Sequence, residues 1–316
     1  MYNNVIGRSD VASVVPPEVS YDLINGVAQQ SFLMRQADRL RNMTAYEQKM
    51  PVLSALASAS FPNSTTPPGE TGLSETTEVN WADVSIYAEE LAVIVPVPRT
   101  TISDAKIPIW DEVKKELITA AGAAIDNAQL YGTNKPSTWP TAIVTAAVAA
   151  SHNVSLAGFT NLYLALLGEG GVFAKVEEDG FAVDGVLSNL SMKSSIRGTV
   201  DTNKQPIFNT DPAAADRYML GGSPCWFPTT GITNATYKMI AGAWKEIKYS
   251  VRQDISFEVF TEGIIQDRNG AIVFNLMQQR MAALQLTMRL GFAVPNIINR
   301  VNSNGSTRYP FAVLVA

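Results

Sequence analysis

Residues able to carry chemistry are few in this sequence and widely spaced. His152 is its one histidine and sits in an Ala- and Ser-rich stretch, so a Cys/His metal cluster and a Ser-His-Asp triad lack their parts or rest on a single residue. It is expected to be a surface or loop side chain. Glu177, Glu178 and Asp179 run together before Gly180. Three carboxylates can gather a cation, but like charges ahead of a glycine more often mark a solvated turn, and that is the expectation. Gly132-Thr-Asn-Lys135-Pro-Ser-Thr138 has the outline of a phosphate-binding loop, yet it lacks the Gly-Lys-Ser/Thr ending and follows a helical stretch rather than a strand, so it reads as a turn. Gly168-Glu-Gly-Gly171 fails the dinucleotide-binding spacing and reads as the end of a helix. Cys225 lies between Pro224 and Trp226 with no base nearby to activate it, and reads as a small packed side chain. No catalytic, cofactor-binding or metal site follows from these residues; carboxylates that only the fold brings together stay invisible at this level.

The composition narrows the field further. At 316 residues with 46% hydrophobic side chains, the chain can bury a substantial core, and 17% charged residues is low for a disordered one. Lys and Arg number 24 against 29 Asp and Glu, for a formal charge of −5, and the longest basic run is the pair Lys114 and Lys115. A nucleic-acid reader carries a basic stripe, so contact with nucleic acid is expected to be diffuse and non-specific. One cysteine excludes an intrachain disulfide framework. No basic segment followed by an apolar core opens the sequence, which predicts synthesis in a reducing cytoplasm. The most apolar stretch, Thr141 to Ala150, falls well short of the roughly 20 residues a bilayer requires, so no membrane partner is expected.

The elements that must position any function are clearer. Pro16 and Pro17 lead into Glu18, Val19, Leu23, Ile24 and Val27, whose spacing predicts a short amphipathic helix. Arg35, Arg39, Arg41 and Lys49 follow on a segment with few large apolar residues, which reads as an arm lying on something else. Phe61 to Gly72 is too rich in Pro and Gly for helix or central strand and must be an exposed loop. Strand-like pieces flank it: Val52 to Ala59 before, then Val79, Trp81, Val84, Ile86 and the run Leu91 to Val97 after. This predicts a projecting hairpin of about 40 residues, longer than ordinary connections, and such a projection usually has a partner. Pro108 opens a long helix to Tyr131, with Ile109, Val113, Leu117, Ala121, Ala124 and Ala128 on one face and Gly132 ending it. Residues 138–250 read as α+β, with a helix from Thr160 to Leu167. Ile255, Phe257 and Val259 alternate with polar residues, and Leu284 to Val294 alternate without exception until Pro295, predicting a long strand. Helix and strand have similar lengths and can cover each other's apolar faces.

In this order the pieces resemble the HK97-fold major capsid proteins of tailed bacteriophages, an architecture shared with encapsulin shells. Val95-Pro-Val-Pro-Arg-Thr-Thr-Ile-Ser-Asp104 looks like the approach to the family's spine helix, here about 108–131, and Asp126-Asn-Ala-Gln-Leu-Tyr-Gly132 is similar to its ending. Asn189-Leu-Ser-Met-Lys-Ser-Ser-Ile-Arg197 with Leu220-Gly-Gly-Ser-Pro224 looks like the axial domain's helix and following strand. Ala241-Gly-Ala-Trp244 and Val251-Arg-Gln-Asp-Ile-Ser-Phe257 resemble the return to the peripheral domain. The resemblance covers nearly the whole chain and rests on element order rather than on fixed residues.

That resemblance implies an α+β, HK97-like capsid fold. Residues 1–52 would be the N-terminal arm and entry to the peripheral domain, 53–95 the E-loop lying across a neighbouring subunit, 96–137 with 251–316 the peripheral domain, and 138–250 the axial domain. It implies a non-enzymatic shell protein of the virion, assembled as hexamers and pentamers into an icosahedral shell around double-stranded DNA, with a portal protein and a separate scaffolding protein as partners and no cofactor. Glu70, Glu75, Trp81 and Arg99 are the expected inter-subunit contacts, with packing inside its own hairpin the alternative for Trp81. Some members weld the E-loop to a neighbour through a lysine, but no lysine lies between Lys49 and Lys106. A shell without that cross-link is expected. An encapsulin-like nanocompartment is the alternative reading, and a hydrolase with carboxylates assembled by folding the remote one.

Overall fold

The computed structural model describes residues 31–59, 76–106, 108–200, 218–229, 232, 234–267 and 269–315. The amphipathic helix expected over 18–27 and the loop tip expected over 61–72 lie outside them.

Helix propensity and capping carry the longest element, Ile109–Tyr131. Pro108 precedes it, Asp111 and Glu112 sit in its first turn where the helix dipole favours acid, and Gly132 ends it in the left-handed region at φ 77°. The expected boundaries hold to within a residue. Four strands form a sheet in the order Asp38–Arg39, Lys248–Phe260, Met281–Ala293, Glu89–Pro98. The strand foreseen from Leu284 onward begins three residues earlier, at Met281, and pairs antiparallel on both sides, with Leu284 opposite Val259 and Val95. Its alternation does what period two requires: Leu284, Leu286 and Leu290 are fully buried while Gln285, Thr287 and Arg289 are only partly covered. Leu284 and Leu286 meet Leu117 and Ala121 of the long helix in one cluster, so helix and strand do cover each other.

A second sheet has six strands, ordered Asn153–Ser155, Phe311–Val315, Tyr237–Gly242, Gly185–Ser188, Ser223–Trp226, Tyr218–Leu220. Short helices pack around it, among them Leu162–Leu167, capped by Asn161, whose side chain accepts from the Leu164 amide. Strand Phe311–Val315 falls within the stretch 251–316 that the resemblance gives to the peripheral domain, yet it pairs with Tyr237–Gly242 and Asn153–Ser155 of the six-stranded sheet; its first four residues are buried, as suits a central strand with both faces covered. One hydrophobic core joins the sheets through Ile125, Phe292, Trp244 and Phe311.

The hairpin is real, but its strands are shifted. Glu47–Leu53 pairs with Trp81–Tyr87, Glu47 opposite Tyr87 and Leu53 opposite Trp81. Residues 54–59, expected as strand, carry no regular structure. The first strand starts earlier because half-buried Gln48, Met50 and Val52 alternate with exposed Glu47, Lys49 and Pro51, a pattern masked in the sequence by polar Gln48. Leu91 to Val97 belongs to the four-stranded sheet rather than to the hairpin.

Candidate assembly surface

His152 is not a surface residue. It is 4% exposed, its Nδ1 lies 3.0 Å from the Phe311 carbonyl oxygen, and its Nε2 lies 3.1 Å from Asp179 Oδ2. Each ring nitrogen thus has an oxygen partner within hydrogen-bonding distance. The expected solvation of the acidic run holds at Glu177 and Glu178, which are exposed, and fails at Asp179, which is buried. Its carboxylate accepts from the Tyr309 amide at 2.7 Å and from Asn302 Nδ2 at 2.7 Å. Arg308, also buried, donates to the carbonyls of Asn302 and Asn296. Burial is affordable because every charge has partners. The group ties the loop over 296–309 to the six-stranded sheet and offers no free nitrogen to a substrate.

Asp126 is the other buried carboxylate among the described residues, and nothing local in the sequence marks its role. It is 1% exposed on the long helix and accepts from Ser31 Oγ at 2.5 Å, Phe32 N at 2.7 Å and Leu33 N at 3.0 Å. It thereby seats the short helix Phe32–Gln36, whose Phe32 ring stands edge-on to Trp226 and Trp244 at 5.4 and 5.2 Å. Burial pushes the Asp126 carboxyl up to about 6, against the hydrogen bonds that lower it. The available signal was a stripe of Gly122, Asp126 and Gln129, all buried at helical spacing, where polar residues are expected to face outward.

The remaining chemical candidates are structural. Cys225 is buried, and burial pushes its thiol up to about 12, far from a reactive thiolate. Lys135 spends its ammonium on the carbonyls of Pro136 and Trp139 within the turn, and Gly168 follows a helix end as expected. A cleft of about 440 Å³ beside the long helix includes Glu89 and Glu90 in its lining. Hydrogen bonds from Tyr46 and Thr138 hold Glu89 below the usual carboxylate range, the opposite of what a general acid requires. Among the described residues no group of His, Cys, Asp and Glu could hold a metal ion, and no helix is long and apolar enough to cross a membrane.

Among the large apolar residues the fold exposes, two groups lie on two-stranded hairpins. Trp81, 67% exposed, lies near the outer end of the described hairpin strands with Val79 beside it. The second projection is the small hairpin Ile264–Gln266 and Ile272–Asn275. It presents Ile264, Ile272 and Val273 to solvent, and Met277, 74% exposed, follows. Lone exposed apolar residues are ordinary, but grouped ones at the end of a projection mark association surfaces. Arg99 is exposed and donates through Nη2 to the Thr261 carbonyl at 3.2 Å, which joins the start of the helix Arg99–Asp104 to the base of that second projection. Trp81 thus lies on the first hairpin, and Arg99 lies on a helix bonded to the base of the second. Glu70 and Glu75 lie outside the described residues.

Known proteins place the chain as a whole. The sequence matches the Phage capsid family over residues 12–296. No protein with a curated description matches it. A solved chain from Microbacterium phage Oxtober96 is 27% identical, with a TM-score of 0.81, over 98% of this chain and 99% of that one. One from Mycobacterium phage Bobi is 26% identical, with a TM-score of 0.82, over 99% of each chain. The capsid of a native GTA particle is 14% identical with a TM-score of 0.66 over 99% of each chain, a likeness of fold alone.

Proposed function

This chain belongs to the phage capsid family and is a major capsid shell protein with an HK97-like fold; from that premise we propose how its parts make the shell. The hairpin rooted at Glu47–Leu53 and Trp81–Tyr87 acts as the E-loop and lies across a neighbouring copy. The four-stranded sheet with the long helix forms the peripheral domain, and the six-stranded sheet forms the axial domain that gathers copies into hexamers and pentamers. The shell encloses double-stranded DNA by non-specific contact, is built with a separate scaffolding protein and carries a portal protein, and the chain is made in the bacterial host cytoplasm. Residues 70, 75, 81 and 99 remain our assignment for inter-subunit contact.

One observation carries this reading. A 67% exposed tryptophan sits on a two-stranded projection, and two strands alone are marginally stable in water unless something covers them. Many copies of each modest contact then multiply into a closed shell. Trp81→Ala is the test, with negative-stain electron microscopy of particles and thermal unfolding of the subunit. Trp81 is expected to contribute nothing to subunit stability, while its loss at an interface centre costs about 2 kcal/mol per contact and strongly lowers shell yield. Shells formed at wild-type yield would remove Trp81 from the interface. Extraction of purified particles should yield DNA; a cargo enzyme in its place would favour the nanocompartment reading.

A further inference from the structure

The hairpin and the body meet around the short link from Ile86 to Glu89. Strand Trp81–Tyr87 ends and strand Glu89–Pro98 begins with only Ala88 between them. Ala88 and Ile86 are fully buried in a small cluster of their own with Met43 and Ala293, and the Ala88 amide donates to the Tyr46 carbonyl at 2.9 Å. The Tyr87 carbonyl accepts from Trp139 Nε1 at 3.2 Å. It also lies directly over the long strand: a Cβ on Gly291 would come within 2.5 Å of the Tyr87 oxygen and 2.7 Å of Ile86 Cγ2. Glycine weakens the interior of a strand, and its presence there often marks a close approach of another backbone. One carboxylate closes the joint. Glu89 Oε1 accepts from Tyr46 OH at 2.6 Å and from Thr138 Oγ1 at 2.7 Å, tying the start of the hairpin and the loop after the long helix to the same residue.

We propose that Glu89 and Gly291 are positioning residues which, with the Trp139–Tyr87 bond, fix the direction in which the hairpin leaves the body and hence the angle at which copies join. The proposal rests on the reading of the hairpin as the element laid across a neighbour. Leverage makes the joint matter. Seven strand residues extend about 24 Å, so a turn of about 10° at the root moves the outer end by about 4 Å, more than a hydrogen bond or a packed ring tolerates. Gly291 lets the two backbones touch, and Glu89 keeps them from rotating about that contact.

The test compares full-length wild type with Glu89→Ala, Glu89→Gln and Gly291→Ala, by amide hydrogen exchange and cryo-electron microscopy of the assembled shells. In Glu89→Ala the Ala88 amide should exchange about tenfold faster or more, and the shells should broaden in diameter or show the hairpin turned by about 10° or more. Glu89→Gln keeps an acceptor oxygen and should restore both readouts, which a general loss of stability would not allow. Gly291→Ala should turn the hairpin as well; if that chain does not fold, the two Glu89 variants decide. Unchanged exchange, or unchanged shells, in Glu89→Ala overturns the proposal. Excision of residues 60–75 tests the underlying reading separately: normal shells without the tip would end the neighbour-binding role and leave the exchange effect at the root untouched.

Discussion

Asp126 shows how much a single side chain can commit the molecule to. Its carboxyl is raised to about 6 in the fold against an ordinary value of 3.8, so between those values the folded chain binds a proton that the unfolded chain has lost. The resulting stabilisation is fully present below about pH 4, falls as pH rises through 6, and leaves a cost on the order of 3 kcal/mol at neutral pH. Urea unfolding midpoints of the subunit should therefore drop between pH 5 and pH 7.5, and the drop should shrink in Asp126→Asn; equal slopes for the two proteins would show that Asp126 is not the group responsible. At the other buried carboxylate the expectation is simpler. His152→Ala or Asp179→Ala leaves a charged or polar partner stranded, and each should cost about 3–5 kcal/mol in denaturant unfolding. Neither role was legible in the sequence. His152, Asp179 and Tyr309 are separated by 27 and 130 positions, and the polar run before Gly180 resembles any solvated turn until Asn299 and Asn302 arrive to bond Asp179.

Elements whose periodicity is their own were legible. The long helix carries its apolar stripe, its acidic first turn and its terminal glycine locally, and the strand Met281–Ala293 carries an alternation that needs no partner to be seen. Leu286 is the natural probe: it is fully buried between helix and sheet, and Leu286→Ala should lower stability by about 2–5 kcal/mol in equilibrium denaturation. A change below 1 kcal/mol would mean that helix and sheet are not packed through that side chain. Elements defined by pairing were placed less well. The first hairpin strand shifted because Gln48 and Lys49 gave no local sign of strand, and only register with Ser85 and Ile86 fixes where it begins. The sheet that residues 311–315 join was not legible either, since nothing local tells a central strand which neighbours it will have.

Across the whole molecule, the order of elements was the readable quantity, and it was enough to point to the fold. A shell subunit is specified by a body that holds its shape and by projections that do not complete themselves, and both leave traces in pattern: periodic runs for the body, Pro- and Gly-rich breaks for the projections. The absence of lysine between residues 49 and 106 carries a prediction at this scale. In mature particles boiled in detergent this subunit should run as a monomer, and a ladder of its covalent oligomers on a denaturing gel would refute the prediction. The contacts that close the shell were not legible, because a surface residue facing a neighbour and one facing water look alike in one chain.

The seat of Trp244 has a bearing on timing. Its ring meets Phe32 at 5.2 Å and Phe311 at 5.3 Å, and strand Phe311–Val315 lies inside the six-stranded sheet with a partner on either side. Residues nearly 280 positions apart thus share one wall of the core, the kind of distant closure that slows folding. A growing chain on the ribosome therefore holds the six-stranded sheet open until residue 315 has been made, and the last wall of the core is expected to set only once that strand is in place.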